Sequence, residues 1–234
     1  MTLFALPLAY MWSSGFSDNG ILGGLLPYKD GYYYYNGARL LSIGNLLPGY
    51  VVQAADRPLF PSFLSSIYFL TKQNFQWSLA ILVGIVGSTS FFSIWFVGKK
   101  LGILAASLYG AFLFFYIQPL IGYSLTELLG FGFGCLGFVI LWKASETHKI
   151  GVLILGIFTL MVGVSARAGA FFIFPMLVLW AGWAFRGQNK YSFRLAGIIL
   201  LTVIAAFFLT NTIYPRLVVE PGNQTLGSFS YMLY

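Results

Sequence analysis

Residues 77–97 read WSLAILVGIVGSTSFFSIWFV, a run without one ionisable side chain. A hydrocarbon core about 30 Å thick calls for roughly 20 apolar residues in a helix, and this run supplies them. Working outward, apolar stretches follow at 101–117, 120–142, 150–164, 168–185 and 195–213. A shorter one at 3–12 precedes them, either tilted and completed by residues 13–16 or belonging to a chain that begins late. The pattern predicts an all-α, polytopic membrane helix bundle of about seven transmembrane helices. Composition points the same way. Of 234 residues 59% are hydrophobic and 8% charged, against roughly 25% charged in an ordinary soluble domain. A soluble core buries only about three quarters of a chain's surface, which leaves too much apolar area in water.

The formal net charge is +7, yet the basic residues sit in short clusters between apolar runs instead of lining one face. That argues against nucleic acid as a partner. Lys99 and Lys100, then Lys143 and Lys149, then Arg186, Lys190 and Arg194 fall at every second connection, which places those connections on the cytoplasmic side. The loop 17–61, the turn at Gln118 and Pro119, the Arg167 region and the tail from 214 then face outward. Lys29, Arg39, Arg57, Arg167 and Arg216 are outward-facing cations against that trend, and they invite a functional explanation. Cys135 is alone in an apolar stretch, so no disulfide framework or thiol–metal site is expected. His148 reads as a solvated loop residue beside Lys149. The N-terminus lacks the basic start and small-residue cleavage site of a signal peptide.

Ionised side chains at membrane depth cost a few kcal/mol even on lenient scales and so face a cavity or a partner. Glu127, about two turns into its span, and Arg167, at a junction of two spans, are the two that stand out. They either pair to fix helix packing or line a pocket open to the outside. Gly130, Gly134 and Gly137 follow at helical spacing and suit close helix contact. The tyrosines Tyr32 to Tyr35 read as an interface belt or a substrate cradle. Asn223-Gln224-Thr225 fits a glycosylation sequon on three residues only.

The outer loop, about 17–61, carries the remaining chemistry. Residues 31–41 suit a short amphipathic helix lying at the interface, and 58–70 a helix leading up to the membrane. Asp30 begins an aromatic run, and Asp56-Arg57-Pro58 closes the loop. A carboxylate there can act as a general base, and an Arg beside it offers a planar donor fork for phosphate. Solvated loop charge is the equal alternative.

The order of these features resembles the GT-C superfamily of polytopic glycosyltransferases, especially bacterial relatives of protein O-mannosyltransferases and lipid A aminoarabinose transferases. It runs Asp30, Tyr34, Ala38-Arg39-Leu40-Leu41, Gly44, Asp56-Arg57-Pro58 and Pro61, with Lys99-Lys100-Leu101-Gly102, Thr126-Glu127 and Arg167-Ala168-Gly169 further on. The resemblance implies a GT-C fold and an enzyme that moves a sugar from a polyprenyl-phosphate carrier to an acceptor glycan, lipid or protein, with inversion, on the outer face of a bacterial plasma membrane. Asp30 would be the catalytic base. Asp56, Arg57, Tyr34, Arg39, Glu127 and Arg167 would contact donor phosphate or substrate. The lipid-linked sugar is the only cofactor-like group it requires. Distant members hold a divalent metal, but no carboxylate cluster here calls for one. Two departures stand against it. Gly31 takes the place where the family usually has Glu, and members continue with more helices. Residues 1–234 would then be a single transmembrane module, cut off in a second outer loop that begins about 214. A non-catalytic membrane subunit or scaffold, assembled with a membrane-protein partner, is the alternative function.

Overall fold

The computed structural model describes residues 2–166, 173–185 and 191–221. Among the described residues, four helices are long and apolar enough to cross a membrane: Phe75–Leu101, Ile103–Leu120, Thr126–Thr147 and Phe193–Val218. Their presence is compatible with an integral membrane protein. In finer detail these are α5 (Phe75–Leu101), α6 (Ile103–Ile117) with a 3-10 turn after it, α7 (Thr126–Thr147), and α10 (Phe193–Phe208), which runs through a π-turn into α11 (Tyr214–Val218). The helices α1 (Thr2–Ser14), α8 (Ile150–Ser165) and α9 (Ile173–Ala184) are shorter.

Local sequence explains where these helices start and stop. The Asn74 side chain accepts from the Trp77 N–H and caps α5, satisfying one of the N–H groups a helix start leaves open. Gly102, at φ +89°, ends α5 and starts α6 in one residue. The π-turn at Leu209–Ile213 precedes Pro215, whose missing N–H interrupts the regular ladder. Helices α7 and α8 lie against each other through glycine: a Cβ on Gly130 would come within 3.0 Å of the Gly163 carbonyl oxygen. Small residues that let backbones approach are what helix packing without a strong hydrophobic drive uses.

The loop between α1 and α5 is folded. It contains a two-stranded hairpin, β1 (Ile21–Leu22) and β2 (Leu26–Pro27), then α2 (Asp30–Ser42), α3 (Val52–Asp56) and α4 (Leu59–Leu70). The hairpin adds a little sheet to the expected all-α chain. Gly23 and Gly24, both at positive φ, make its turn. Helix α2 ends in a Schellman arrangement, with Gly44 at φ +85° and the Asn45 N–H reaching back to the Leu40 carbonyl. Tyr34, Ala38, Leu47, Ala54, Phe60, Leu64 and Tyr68 are buried together with side chains of α1, α5 and α7. The loop is thus a platform seated on one end of the bundle.

Long-range contacts sort the ends of the helices. Asp18 accepts from the Tyr123 hydroxyl, joining the loop to the α6–α7 turn. Leu47 forms a parallel bridge with Val219, joining it to the chain beyond α11. At the other end, Lys100 of α5 pairs with Glu146 of α7 at 2.7 Å. The connections at 99–100 and 143–149 therefore share one end, and the loop, the 118–125 turn and Val219 share the opposite one.

Candidate functional site

Asp30, Tyr34 and Arg57, all singled out in the sequence, are brought to one place by the packing of α3 on α2. Helix α2 buries Gly31, Tyr34, Gly37 and Ala38 along one face, and its first residue, Asp30, stands exposed at the rim. Helix α3 lies close because Gly37 has no side chain. A Cβ there would meet the Ala54 Cβ at 2.6 Å. That approach brings Gln53 to Asp30, whose Oδ1 accepts from the Gln53 amide at 3.4 Å. It also brings Arg57 to Tyr34, where Nη1 donates to the phenolic oxygen at 3.4 Å.

The Tyr34 ring is held edge-on against Phe60 at 5.4 Å. Burial pushes its hydroxyl up to about 12, and Asp30 and Glu127 push in the same direction, against the lowering effect of Arg57. The phenol is therefore neutral near pH 7. Its oxygen accepts from Arg57, and its proton remains available to a neighbour. At 1% exposure Tyr34 orients Arg57 from behind instead of reaching a ligand itself. The four adjacent tyrosines are thus not one belt. Tyr32 is exposed, Tyr34 is buried, and Tyr35 packs edge-on against Tyr68 and Phe75.

Glu127 sits in the first turn of α7, not two turns inside it. The 3-10 turn at Gln118–Leu120, the positive φ of Gly122 and the extended backbone of Leu125 delay the helix to Thr126. A carboxylate at a helix N-terminus is favoured by the helix dipole, which lowers the cost that its sequence position suggested. The Thr126 hydroxyl donates to it at 3.0 Å. On its other side Glu127 meets a groove of about 820 Å³ walled by Tyr109, Tyr116, Phe131, Phe138 and Leu160.

Asp56 ends α3, half-buried beside Arg57. Arg39 is exposed in the last turn of α2, about 13 Å along the helix from Asp30 at the usual rise, so the fold does not bring the two together. Arg167 lies outside the described residues, as do Arg186, Lys190 and the sequon at Asn223. Gly31 is enclosed by the Gly20 and Ser124 carbonyls and Pro27, each 3.6–3.7 Å from where a Cβ would stand. A methyl would fit, and a carboxylate on a longer stem would have to displace the hairpin. Among the described residues, no three His, Cys, Asp or Glu side chains converge as a metal ion requires.

Sequence reasoning missed Gln53, which precedes Asp56 by three residues and shares its helix face. It also missed the Asp18–Tyr123 contact and the backbone of Lys29, held at φ +49° and ψ −125° just before Asp30. Asp18-Asn19-Gly20, a run of turn formers, was the one legible sign of structure there.

No family model, no curated protein and no solved structure matches this chain. What geometry defines is a largely helical protein with a charged platform at one end. Its activity has to be argued from that platform.

Proposed function

We propose that the protein is a membrane glycosyltransferase of the GT-C type, which moves a sugar from a polyprenyl-phosphate carrier to an acceptor at the outer membrane face. The observation that carries the proposal is the docking of α3 on α2, which hydrogen-bonds Arg57 to buried Tyr34 and Gln53 to Asp30 at the end of the bundle away from the Lys100–Glu146 pair. In this reading α1 and α5 to α10 supply seven spans, the shorter ones tilted or thinning the bilayer locally. The basic end lies in the cytoplasm.

A polyprenyl phosphate is already a good leaving group, so one base suffices, unlike glycosidases with their two carboxylates. Asp30, anchored by Gln53, takes the proton of the acceptor as the acceptor oxygen attacks the anomeric carbon. The bond from that carbon to phosphate breaks on the opposite face, and the configuration inverts. Arg57, oriented by Tyr34, stabilises the charge that builds on the departing phosphate. The apolar groove beside Glu127 suits an isoprenoid chain.

Enclosed Gly31 favours a second reading, a non-catalytic subunit that keeps the scaffold. A transfer assay with a polyprenyl-phosphate sugar separates the two. Transfer by the wild type that is lost in Asp30→Asn supports the enzyme, and no transfer with any lipid-phosphate donor supports the scaffold. Topology is checked independently, in a Cys135→Ser background. Asn45→Cys should label from outside intact cells, and Thr147→Cys only after permeabilisation.

A further inference from the structure

Beside Asp30 lies a pocket of about 400 Å³ between the hairpin and the α6–α7 turn. Asp18, Asn19, Tyr28, Lys29, Asp30 and Tyr123 contribute to it, and none of the first four, nor Tyr123, was assigned a role by the sequence. We infer that this pocket is a subsite for one uncharged, hydroxyl-bearing sugar ring, with Lys29 and Asn19 as specificity-determining residues.

Size is the first argument. Small-molecule sites run from roughly 300 to 1,000 Å³, so this one holds a single ring better than an extended peptide.

Chemistry is the second. Two aromatic side chains, Tyr28 and Tyr123, offer flat apolar faces for the C–H faces of a ring. Around them stand groups of both hydrogen-bonding senses. Asp30 accepts, the Lys29 ammonium donates, and the Asn19 amide does both. A sugar ring carries hydroxyls that do both as well.

Charge is the third. Asp18 and Asp30 outnumber Lys29, and Lys29 Nζ already donates to Asn19 Oδ1 at 2.9 Å. The pocket is net negative, which disfavours a phosphorylated or carboxylated ring. Asp18 keeps that charge. Burial alone would raise its carboxyl, but the Tyr123 hydroxyl, the Gly20 and Ile21 N–H groups and nearby Lys29 together hold it below the ordinary range.

The backbone adds a fourth argument. Positive φ with ψ near −125° is strained for a residue with a Cβ, yet Lys29 adopts it, which turns the chain between Tyr28 and Asp30. Its neighbours fix it there: the Tyr28 N–H donates to the Gly20 carbonyl, and the Lys29 carbonyl accepts from Tyr32.

The inference deepens the glycosyltransferase reading and rests on it for the role of Asp30, but sugar binding is measurable without transfer. The experiment uses the full chain in lipid nanodiscs, with saturation-transfer NMR on a panel of methyl glycosides, their 6-phosphates and an N-acetyl-serine amide. Neutral glycosides should bind more tightly than the phosphates or the serine amide. Asn19→Ala should weaken them about fivefold, the effect of one lost hydrogen bond. Lys29→Gly should weaken them similarly while raising the melting temperature, because it removes the strained Cβ. A rise in stability excludes misfolding as the cause of weaker binding. Competition against the acceptor or against the lipid donor tells which substrate brings the ring, and either result supports the subsite. Three results would overturn it: no glycoside binding, binding unchanged in both variants, or tighter binding of the serine amide. If transfer is measured and glycosides do not bind, the subsite alone fails. If glycosides bind as described and no lipid-phosphate donor supports transfer, the enzyme reading fails and the sugar site stands.

Discussion

The two ends of the bundle treat their charged side chains differently. At the basic end, Lys100 and Glu146 pair at 2.7 Å with more than a third of each side chain exposed, and Lys99 rests over the Trp95 ring at 3.9 Å. These contacts are short, but each partner is surrounded by solvent-accessible space. At the platform end, Arg57 meets a buried phenol, Asp30 meets an amide from another helix, and Glu127 begins a helix. The first two placements depend on the packing of α3 against α2, and the third on the backbone of the 118–125 turn. The geometry around a charge, more than its presence, therefore separates a site from a solvated surface.

The comparison breaks first at Asp30. Asp30→Asn keeps the shape and cannot take a proton at neutral pH, so transfer should fall by about 10²–10⁴, the usual worth of a general base. Donor lipid should still bind. If turnover is unchanged, the platform loses its base.

Arg57→Ala comes next and should differ in kind. It removes a phosphate contact made in both ground and transition states, so donor affinity falls along with rate. It also strips the buried Tyr34 hydroxyl of its partner, a loss of about 1–3 kcal/mol in stability, readable by thermal unfolding. Arg57→Ala combined with Tyr34→Phe should recover part of that stability and none of the rate.

Gly37→Ala sharpens the packing side of the argument. The new methyl collides with Ala54, so α2 and α3 must separate, at about 1–3 kcal/mol. Transfer should fall with it, because Gln53 and Arg57 ride on α3. At the opposite end, Lys100→Ala should change neither unfolding nor transfer measurably, because exposed ion pairs contribute little. A clear loss of transfer there would erase the contrast between the ends.

The smallest effect concerns pH. A carboxyl held below its ordinary value stabilises the folded loop above the unfolded pKa, and that contribution is lost as pH falls through the folded one. The Asp18–Tyr123 junction should therefore open only in acid, below the ordinary 3.8 of Asp. Tyrosine fluorescence or hydrogen exchange at the 18–27 hairpin should report it, and Asp18→Asn should abolish the transition.

Much of the helical architecture was legible because hydrocarbon imposes a length on apolar runs. Residues 77–97 fall inside α5 and 195–213 inside the continuous helix Phe193–Val218, and Gly130, picked out by its spacing, lies where α7 approaches α8. The run 120–142 misled, since apolar Leu120, Ile121 and Leu125 belong to a turn set by Pro119 and Gly122. Hydropathy cannot register backbone conformation. In the same way, Asp30, Tyr34 and Arg57 could be picked out by residue type and order. Gln53 could not, because its importance comes from a contact twenty-three positions away, and Lys29 was one outward cation among five until its backbone angle set it apart.

The bridge between Leu47 and Val219 bears on the order in which the molecule is made. The Leu47 N–H donates to the Val218 carbonyl and its own carbonyl accepts from the Glu220 N–H, so the partner needed by the loop between α1 and α5 leaves the ribosome only as the helix Phe193–Val218 is completed. Pairings so distant in sequence form late and slowly. Until then the Leu47 N–H and carbonyl, which make a single bridge to this segment, have to be satisfied by water. A nascent protein thus cannot close its platform until the helix Phe193–Val218 has been made, and translation that halts before residue 218 leaves the Leu47 N–H and carbonyl without these partners.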